Sequence, residues 1–312
     1  MVEVSSKVLQ IALTFDAEMD AFDSSVACKE EFEWRGIELG IPLIESILSS
    51  VRDSHGNSAR ATWFVRCDDQ IGHITGDAAY LLNRYRDLWI RRQQIGDQIG
   101  FHPHLYRELS GRWRQDSNPE TLREQIFRAY DAMQGAGFQS SVSRIGEGFG
   151  ANSVMSAVEE CGILCDSTAM PGRVRVDAER CLDWEVTPAH SYHPSIGDYR
   201  VPGARVYKIL EVPMSMVRTF ADYDNQPLMR YLDLSFHTHV LRGGLAALVA
   251  NANTIVTVTH PSTILPRNQS HGLLSFSADV FVENLHMLLR ECIHQQRPFH
   301  FVTLSDCAEV LS

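Results

Sequence analysis

Short segments rich in β-branched residues alternate along the chain with segments whose apolar residues have helical spacing. The segments with a strand pattern are Val8–Phe15, Ala61–Val65, Gln98–His102, Ser141–Ile145, Ile163–Ser167, Ile209–Pro213, Thr254–His260 and Phe299–Leu304. Strands that alternate with helices at this spacing are typical of a parallel sheet covered by helices. The pattern therefore predicts an α/β fold.

Three helices are predicted by apolar residues that recur three and four positions apart, as on one face of a helix. Their stripes are Ile44, Ile47, Leu48 and Val51; Leu122, Ile126, Tyr130 and Met133; and Phe281, Leu285, Leu288, Leu289 and Cys292. Asn118 precedes Pro119, and an Asn cap followed by Pro is a frequent helix start. We therefore expect the second helix to begin near Pro119.

Two long polar stretches interrupt the alternation, one near residues 19–40 and the other near residues 166–208. Both are rich in Gly, Pro and aromatic residues, and neither has the low-complexity composition of a linker between domains. Loops of this length inside a compact domain usually carry function or insertions. We therefore predict a single domain over residues 1–312 with two elaborated loops.

The amino-acid composition indicates a globular protein and disfavours several kinds of partner. The 312 residues include 28 basic and 39 acidic side chains, which give a net charge of −11, and 44% are hydrophobic. The apolar fraction is sufficient for a core, and the acidic balance disfavours nucleic acid or an anionic membrane as a partner. The seven cysteines are scattered and include no C-x-x-C pair, which argues against a disulfide framework.

The sequence has no segment with the length and apolarity of a transmembrane helix. Its longest apolar stretch, residues 243–258, is interrupted by Asn251 and Asn253 and is too short to cross a bilayer. The first residues contain an apolar run but no basic leader. We therefore expect a cytoplasmic protein, and the sequence leaves open whether it forms a homo-oligomer.

Polar side chains follow two of the predicted strands in pairs. Asp16 and Glu18 come at the end of the first strand, and His102 and His104 come at the end of the third. Residues two apart in a strand project from the same face. Because the carboxyl ends of parallel strands converge in α/β barrels, we expect these side chains to meet.

Two further strands end in residues suited to catalysis. Arg144 ends the fourth predicted strand and is followed by Glu147, and His260 ends the seventh. An acid and two imidazoles are typical ligands of a catalytic zinc ion, which keeps a position open for water. The four strand ends together predict one divalent metal ion, with Zn²⁺ the first choice and Co²⁺, Ni²⁺ or Mn²⁺ as alternatives.

The residues at these strand ends resemble the motifs of a known family, the polysaccharide deacetylases with a NodB-type domain (carbohydrate esterase family 4). The resemblance runs from about residue 8 to the end of the chain. It implies a distorted (β/α) barrel of about seven strands, a divalent metal bound by an acid and two histidines, and hydrolysis of an N-acyl or O-acyl group on a sugar. The segments that carry it are Thr14–Glu18, Ala61–Val65, Ile99–His104, Arg144, Asp183-Trp184, Val258–His260 and Phe301–Leu304.

The metal ligands depart from the usual motif at two positions. The adjacent Asp-Asp pair of the family is replaced by Asp16 and Glu18 with one residue between them, as in the intracellular and allantoinase-like branches. The second histidine, four positions after His102, would fall on Tyr106, so we take His104 as its substitute. The resulting ligand set is Glu18, His102 and His104, although Asp16 and Glu18 could exchange their roles.

The substrate contacts also depart from the family pattern. After Arg144, the usual Pro-aromatic-Gly is replaced by Ile145–Gly148. Asp166 and Arg173 follow a predicted strand, and the guanidinium of Arg173 could bind a phosphate or carboxylate. Trp34, Trp113 and Trp184 lie in predicted loops and could stack on a sugar, whereas Trp63 and Trp89 are expected in the core. The predicted substrate-binding residues are Glu147, Asp166, Arg173 and Trp184.

Hydrolysis of an amide needs an activated water, a polarised carbonyl and a proton for the departing amine. Asp16 could accept the proton of the water, and the resemblance implies that Arg144 pairs with Asp16. His260 could donate a proton to the amine, and Asp183 could keep that imidazole protonated. The predicted catalytic residues are therefore Asp16, Arg144, Asp183 and His260.

Three functions are consistent with the sequence. The first is a metal-dependent hydrolase that removes an acetyl or formyl group from an amino sugar, such as an intermediate of glycan biosynthesis. The second is an allantoinase-like hydrolase of a non-sugar amide. The third is a carbohydrate-binding barrel without catalysis. The predicted partner is thus an amino-sugar or glycan substrate.

Overall fold

The protein is described by a computed structural model over residues 8–20, 33–177, 181–268 and 271–309. Its strands, in chain order, are β1 (Leu9–Ala17), β2 (Ala61–Arg66), β3 (Gln98–His102), β4 (Tyr106–Leu109), β5 (Arg112–Gln115), β6 (Val142–Ser143), β7 (Cys165–Asp166), β8 (Val174–Val176), β9 (Cys181–Asp183), β10 (Leu210–Glu211), β11 (Met216–Thr219), β12 (Leu228–Tyr231), β13 (Thr254–Thr259) and β14 (Phe299–Phe301).

The helices lie between the strands. They are α1 (Ile41–Ser49), α2 (Asp69–Thr75), α3 (Tyr80–Arg84), α4 (Arg86–Gln94), α5 (Pro119–Gly135), α6 (Asn152–Glu160), α7 (Thr238–Leu241), α8 (Leu245–Asn251), α9 (Ala278–His294) and α10 (Leu304–Glu309). Among these helices, none is both long enough and apolar enough to cross a bilayer.

A parallel sheet of eight strands forms the centre of the fold. Its strand order is β10-β7-β6-β3-β2-β1-β13, and β14 pairs with the start of β1. β1 pairs along its length with β13 and, at its carboxyl end, with β2. β1 is almost entirely buried and mostly apolar, as expected for a parallel strand that is covered on both faces. All eight strands of this sheet coincide with segments predicted from the sequence.

An irregular segment after β10 joins the two ends of the sheet. The backbone N–H of Val212 donates to the carbonyl of Asp166 in β7 at 2.8 Å, and that of Ser215 donates to the carbonyl of Val256 in β13 at 3.1 Å. This segment therefore bridges the outermost strands of the sheet. The architecture is the distorted (β/α) barrel that the sequence predicted.

The helices cover the outside of the barrel as their apolar stripes predicted. α5 begins at Pro119, where the Asn118 side chain accepts hydrogen bonds from the N–H groups of Glu120 and Thr121, each at 3.0 Å. The core contains Trp63, which stacks on Phe15 with the ring centroids 4.5 Å apart. Trp89 is also fully buried, as predicted.

Three antiparallel hairpins, β4–β5, β8–β9 and β11–β12, were not predicted. Their sequences are short and rich in Arg, so they lack the alternating apolar pattern that marks a strand. β8 and β9 lie within the predicted loop near residues 166–208. Of the predicted loop near residues 19–40, residues 21–32 lie outside the described part, and Gly36–Gly40 forms a π-helical turn that leads into α1. The assignment of residues 1–312 to a single domain stays a prediction.

Candidate active site

Residues at the carboxyl ends of four strands come together in one cavity of about 360 Å³. This volume lies at the lower end of the roughly 300–1,000 Å³ range of small-molecule sites. The strands that supply them are β1, β3, β6 and β13. The catalytic and metal-binding candidates that line the cavity are Asp16, Glu18, His102, His104, Arg144 and His260. Six of the residues predicted for catalysis or metal binding are therefore brought together.

Glu18, His102 and His104 each offer a ligand atom, and these atoms lie within 4.8 Å of one another. His102 Nδ1 is 2.7 Å from the Arg144 carbonyl oxygen, which can only accept a hydrogen bond. The proton of the neutral ring therefore lies on Nδ1, and the lone pair on Nε2 is available to a metal. Burial lowers the pKa of His102 to about 4, so the ring is neutral at pH 7.

His104 provides the second observation in favour of a metal. Both of its ring nitrogens are buried, and neither has a hydrogen-bond partner. Nε2 lies 3.1 Å from Glu18 Oε2 but without the alignment of a hydrogen bond. An unsatisfied buried nitrogen beside a carboxylate is costly unless a cation or a proton occupies the space between them. The residues present therefore fit a divalent ion.

The glycine at position 146 makes room for His104. A Cβ atom at this position would overlap the imidazole of His104.

Tyr106, at the position of the family's second histidine, binds Glu147 instead: its hydroxyl donates a hydrogen bond to Glu147 Oε1 at 2.9 Å. The backbone of Glu147 has a φ of +59°, in the left-handed region. This conformation costs a residue other than glycine on the order of 1–3 kcal/mol. Glu147 lines the cavity, as expected for a substrate-binding residue.

Glu18 is oriented by an arginine that the sequence analysis missed. Arg66, at the end of β2, is fully buried, and its Nη1 lies 3.2 Å from Glu18 Oε2. Asp68 holds the other side of this guanidinium, with 2.7 Å between Oδ2 and Nε. Burial by itself would raise the pKa of Glu18, but His104 and His260 outweigh it and hold the pKa well below its usual value. The position of Arg66 directly at the end of a predicted strand was the available signal.

Asp16 and Arg144 form a buried ion pair beside the metal candidates. Arg144 Nη1 lies 2.7 Å from Asp16 Oδ1 and 2.8 Å from Thr14 Oγ1. The guanidinium carbon of Arg144 also lies 4.2 Å from the centroid of the Phe64 ring, a cation–π contact. Burial opposes ionisation of Asp16, but the charge of Arg144 outweighs it and lowers the pKa of Asp16. Asp16 is therefore a fixed carboxylate that can accept a proton.

His260 lies where β13 ends, with Nε2 3.1 Å from Glu18 Oε1. The turn Gly36–Gly40 packs closely against Pro261, the residue that follows His260. A Cβ atom at Gly40 would overlap the carbonyl oxygen of Pro261. Burial by itself would lower the pKa of His260, but the carboxylates of Glu18, Asp16 and Asp233 raise it to about 9. The imidazole is therefore protonated at pH 7.

Besides Glu18 and Asp16, the third carboxyl group near His260 is that of Asp233 and not that of Asp183. Asp233 is buried, its Oδ1 accepts hydrogen bonds from Ser235 and Thr259, and its Oδ2 has no hydrogen-bond partner. The prediction for Asp183 is corrected: this residue ends β9 and forms an ion pair with Arg200. The resemblance pointed to the Asp-Trp pair, but in the β8–β9 hairpin Leu182 lines the cavity, whereas Asp183 and Trp184 are not among the described residues that line it.

Of the four predicted substrate-binding residues, Glu147 and Arg173 are among the described residues that line the cavity, and Asp166 and Trp184 are not. Trp184 is fully buried, and its indole N–H donates to the carbonyl of Gly148 at 2.6 Å, so its faces are not available to a sugar. Asp166 is also fully buried, and its carboxylate accepts a hydrogen bond from Ser143 of the adjacent strand. These two predictions are corrected.

A second group of possible metal ligands lies elsewhere in the structure. The ligand atoms of Asp53, His55 and His300 are also within 4.8 Å of one another. Here, however, Asp53 Oδ1 accepts hydrogen bonds from the backbone N–H groups of His55 and Asn57 at 2.8 and 2.9 Å. The carboxylate is already satisfied by its own loop, so this group is a weaker metal candidate than Glu18, His102 and His104.

Comparison with known proteins supports the fold. No protein-family model matches the sequence, and no curated protein is similar enough to match. A candidate polysaccharide deacetylase from Mycobacterium smegmatis matches with a TM-score of 0.58 at 18% identity, over 99% of this chain and 92% of the other. A candidate glycoside hydrolase/deacetylase from Parabacteroides distasonis matches with a TM-score of 0.64 at 13% identity, over 98% and 72%.

A third similar structure is the Puue allantoinase, with a TM-score of 0.57 at 12% identity, over 98% of this chain and 91% of the other. At these identities the similarity concerns the fold. The predicted resemblance is thus confirmed at the level of the fold: the chain is built on the barrel that is also found in polysaccharide deacetylases and in allantoinase.

Proposed function

We propose that this protein is a metal-dependent hydrolase that removes an acetyl or formyl group from the nitrogen of an amino sugar. One observation carries the proposal: an acid and two imidazoles, of which that of His102 is neutral, lie in the same cavity as a fixed carboxylate and a protonated imidazole. This is the set of groups that hydrolysis of an amide requires. An intermediate of glycan biosynthesis would be a substrate of suitable size for the cavity.

Glu18, His102 and His104 would hold the ion, for which Zn²⁺ is the first choice and Co²⁺, Ni²⁺ and Mn²⁺ are alternatives. When bound, such an ion polarises the acyl carbonyl and lowers the pKa of water to about 7. Asp16 would accept a proton from the attacking water. Arg144 keeps Asp16 ionised and in position, through the 2.7 Å ion pair.

His260 would donate a proton to the departing amine. Its raised pKa keeps the imidazole protonated before the C–N bond breaks, and an amine leaves poorly without a proton. Asp233 lies within electrostatic range of His260 and, when ionised, raises the pKa of that imidazole, while burial raises the pKa of Asp233 itself.

The metal assignment is tested by elemental analysis of the purified protein. We expect one equivalent of ion per chain, and its loss from a His102→Ala/His104→Ala double variant. His300→Ala is the matched control, because it removes a histidine of the second candidate group and should keep the ion. Retention of a full equivalent in the double variant would contradict the assignment, and loss in the control would move the ion to the second group.

A second candidate, hydrolysis of a non-sugar amide, is favoured by the composition of the cavity wall. None of the five tryptophans, all of which the structure describes, is among the residues that line the cavity. The wall contains Met170, Met214 and Met216 instead, and of the two aromatic side chains among its described residues, Tyr231 and Phe236, that of Phe236 is almost fully buried. Sugar sites usually offer a flat aromatic face for stacking. Turnover of N-acetylglucosamine against that of N-acetylalanine distinguishes the two candidates.

The third function, carbohydrate binding without catalysis, would be supported if N-acetylglucosamine binds and no amide or ester is hydrolysed with any of the four metals. Hydrolysis of either substrate excludes it. We also propose that the protein is cytoplasmic. Its net charge of −11 disfavours nucleic acid or an anionic membrane surface as a partner.

A further inference from the structure

Three arginines that the mechanism does not use line the cavity: Arg173, Arg175 and Arg230. Two of them have acidic partners. Arg230 forms a two-point ion pair with Asp224, with N–O distances of 2.7 and 2.8 Å. Arg175 Nε lies 2.7 Å from Asp177 Oδ2. These two charges are therefore neutralised within the protein.

Arg173 differs from its neighbours. Its side chain is half-buried, and in the described part of the chain its guanidinium has neither an ion pair nor a hydrogen bond. Burial, followed by the charges of Arg230 and Arg175, lowers its pKa, yet an arginine remains protonated at neutral pH. The nearby carboxylate of Asp224 acts on Arg173 only through its charge and is hydrogen-bonded to Arg230, so the half-buried guanidinium of Arg173 has no anion in contact with it among the described residues.

The backbone around Arg173 is held in place. The N–H of Gly172 donates to the carbonyl of Trp184 at 2.9 Å, and the N–H of Trp184 donates to the carbonyl of Arg173 at 2.8 Å. The N–H of Arg173 donates to the carbonyl of Met170 at 2.9 Å. Three hydrogen bonds to the buried Trp184 and to Met170 therefore fix the point from which the side chain extends into the cavity.

Tyr231 connects this region to the catalytic groups. It lines the cavity and lies within electrostatic range of Arg173 as well as of Asp16, Glu18 and Glu147. A cavity of about 360 Å³ therefore contains both the reacting groups and the cationic side chain of Arg173. A substrate bound in this cavity therefore has both the reacting groups and Arg173 in the surrounding wall.

We propose that Arg173 binds an oxyanion carried by the substrate, a carboxylate or a phosphate, and that the natural substrate is therefore an acidic N-acyl compound. The planar guanidinium can donate two parallel hydrogen bonds to either group. The inference rests on the proposed function, because it assigns the substrate class of the same cavity.

The test uses two matched pairs of substrates that differ in one anionic group. N-acetylglucosamine 6-phosphate is compared with N-acetylglucosamine, and N-acetylalanine with N-acetylalaninamide. In the wild-type protein we expect the acidic member of at least one pair to have the higher kcat/KM. Arg173→Gln should lower kcat/KM for that member about 10- to 100-fold, mainly through KM, and change the neutral member less than about twofold.

Arg175→Gln is the matched control, because Arg175 is more exposed and already paired with Asp177. Arg173→Lys keeps the charge but not the two-point geometry, so it should restore part of the affinity. Metal content should be unchanged in all three variants. An equal loss for acidic and neutral substrates, or an equal loss in Arg175→Gln, would overturn the inference.

A binding measurement separates this inference from the proposed function. Titration calorimetry with the same four compounds in an Asp16→Asn background does not require turnover. If the wild type hydrolyses none of them but the acidic members bind more tightly, and Arg173→Gln abolishes that preference, the anion site stands and the proposed function fails. If the compounds are hydrolysed, and are bound without any preference for the acidic members, the proposed function stands and the inference about Arg173 fails.

Discussion

Two clusters in this protein each contain an acid and two histidines at similar spacing, but they differ in whether their ligand atoms already have hydrogen-bond partners. In the first, Glu18 lies beside His104, whose ring nitrogens are buried and without hydrogen bonds. In the second, Asp53 lies beside His55 and His300, and its carboxylate accepts hydrogen bonds from its own loop. The comparison shows that proximity of ligand atoms does not by itself identify a metal site. The useful distinction is whether the protein has already satisfied the groups.

The two clusters also differ in the charged groups that surround them. A second acid, a buried arginine and a protonated histidine contact or adjoin Glu18. Around Asp53, the nearest groups are the turn residues of its own loop, and His55 is exposed. The first cluster therefore has the neighbours that catalysis needs, whereas the second stabilises a loop. The following predictions test this difference, from the largest expected effect to the smallest.

The largest effect is expected for Asp16→Asn. An amide cannot accept the proton of the attacking water, so the rate of hydrolysis should fall on the order of 10²- to 10⁴-fold. The metal should be retained, because Asp16 pairs with Arg144 and does not belong to the ligand set. Rates and elemental analysis measure the two quantities. Loss of the metal would make Asp16 a ligand and exchange its role with that of Glu18.

His260→Ala should reduce hydrolysis of a sugar amide about 10²-fold or more. An aryl acetate should be affected much less, because its leaving group needs little protonation. The comparison of the two substrates in the same variant measures the general-acid role. Equal losses on both substrates, with the metal retained, would argue against that role, and loss of the metal would make His260 a ligand.

Gly146→Ala should weaken metal binding without touching the ligands themselves. The added methyl group would overlap the ring of His104 and displace it. Changes that disturb the orientation of a ligand typically cost about 10- to 100-fold in metal affinity. Competition with a chelator measures the affinity, and Gly135→Ala, where a Cβ meets no atom, is the control. Unchanged affinity would show that His104 is not a ligand.

Asp53→Asn should leave activity unchanged and affect only stability. Burial by itself would raise the pKa of Asp53, but hydrogen bonds from Asn57 and His55 lower it from 3.8 to about 2. The folded pKa lies below the unfolded value, so the stabilisation is present above about pH 4 and is lost as the pH falls towards 2.

The Asp53→Asn variant should therefore lose about 1–2 kcal/mol of unfolding free energy at pH 7 and less at pH 3. Urea unfolding at the two pH values provides the measurement. A loss of metal or of activity in this variant would contradict the conclusion that the Asp53 cluster only stabilises its loop.

The sheet was predicted well from the sequence, and the small hairpins were not. Parallel strands that are covered on both faces must be apolar along their length, so β1, β2 and β13 are visible as local patterns. β8 and β9 are short, exposed in part and polar. Their pairing depends on what they pack against, which no local pattern contains.

The candidate site divides in the same way. Asp16, Glu18, His102 and His104 were found because the period of a strand places them on one face at a sheet edge. Asp233 was missed because it lies in an irregular segment after β12, and Arg66 was missed because an arginine at a strand end is usually an exposed ion-pair partner. Asp183 and Trp184 were misplaced because the motif identifies them by sequence, whereas the hairpin decides where they point.

The sequence by itself determined the positions of the strands along the chain, the apolar faces of the main helices and the four strand ends that meet in the cavity. These follow from the periods of helices and strands and from the convergence of parallel strands. Only the tertiary structure decided which groups are satisfied: that His104 lacks a hydrogen-bond partner, that Asp53 has several, and that Arg173 lacks an anion while Arg230 has one. The physical reason is that burial and pairing depend on residues distant in the chain, and the free energy of a charge depends on both.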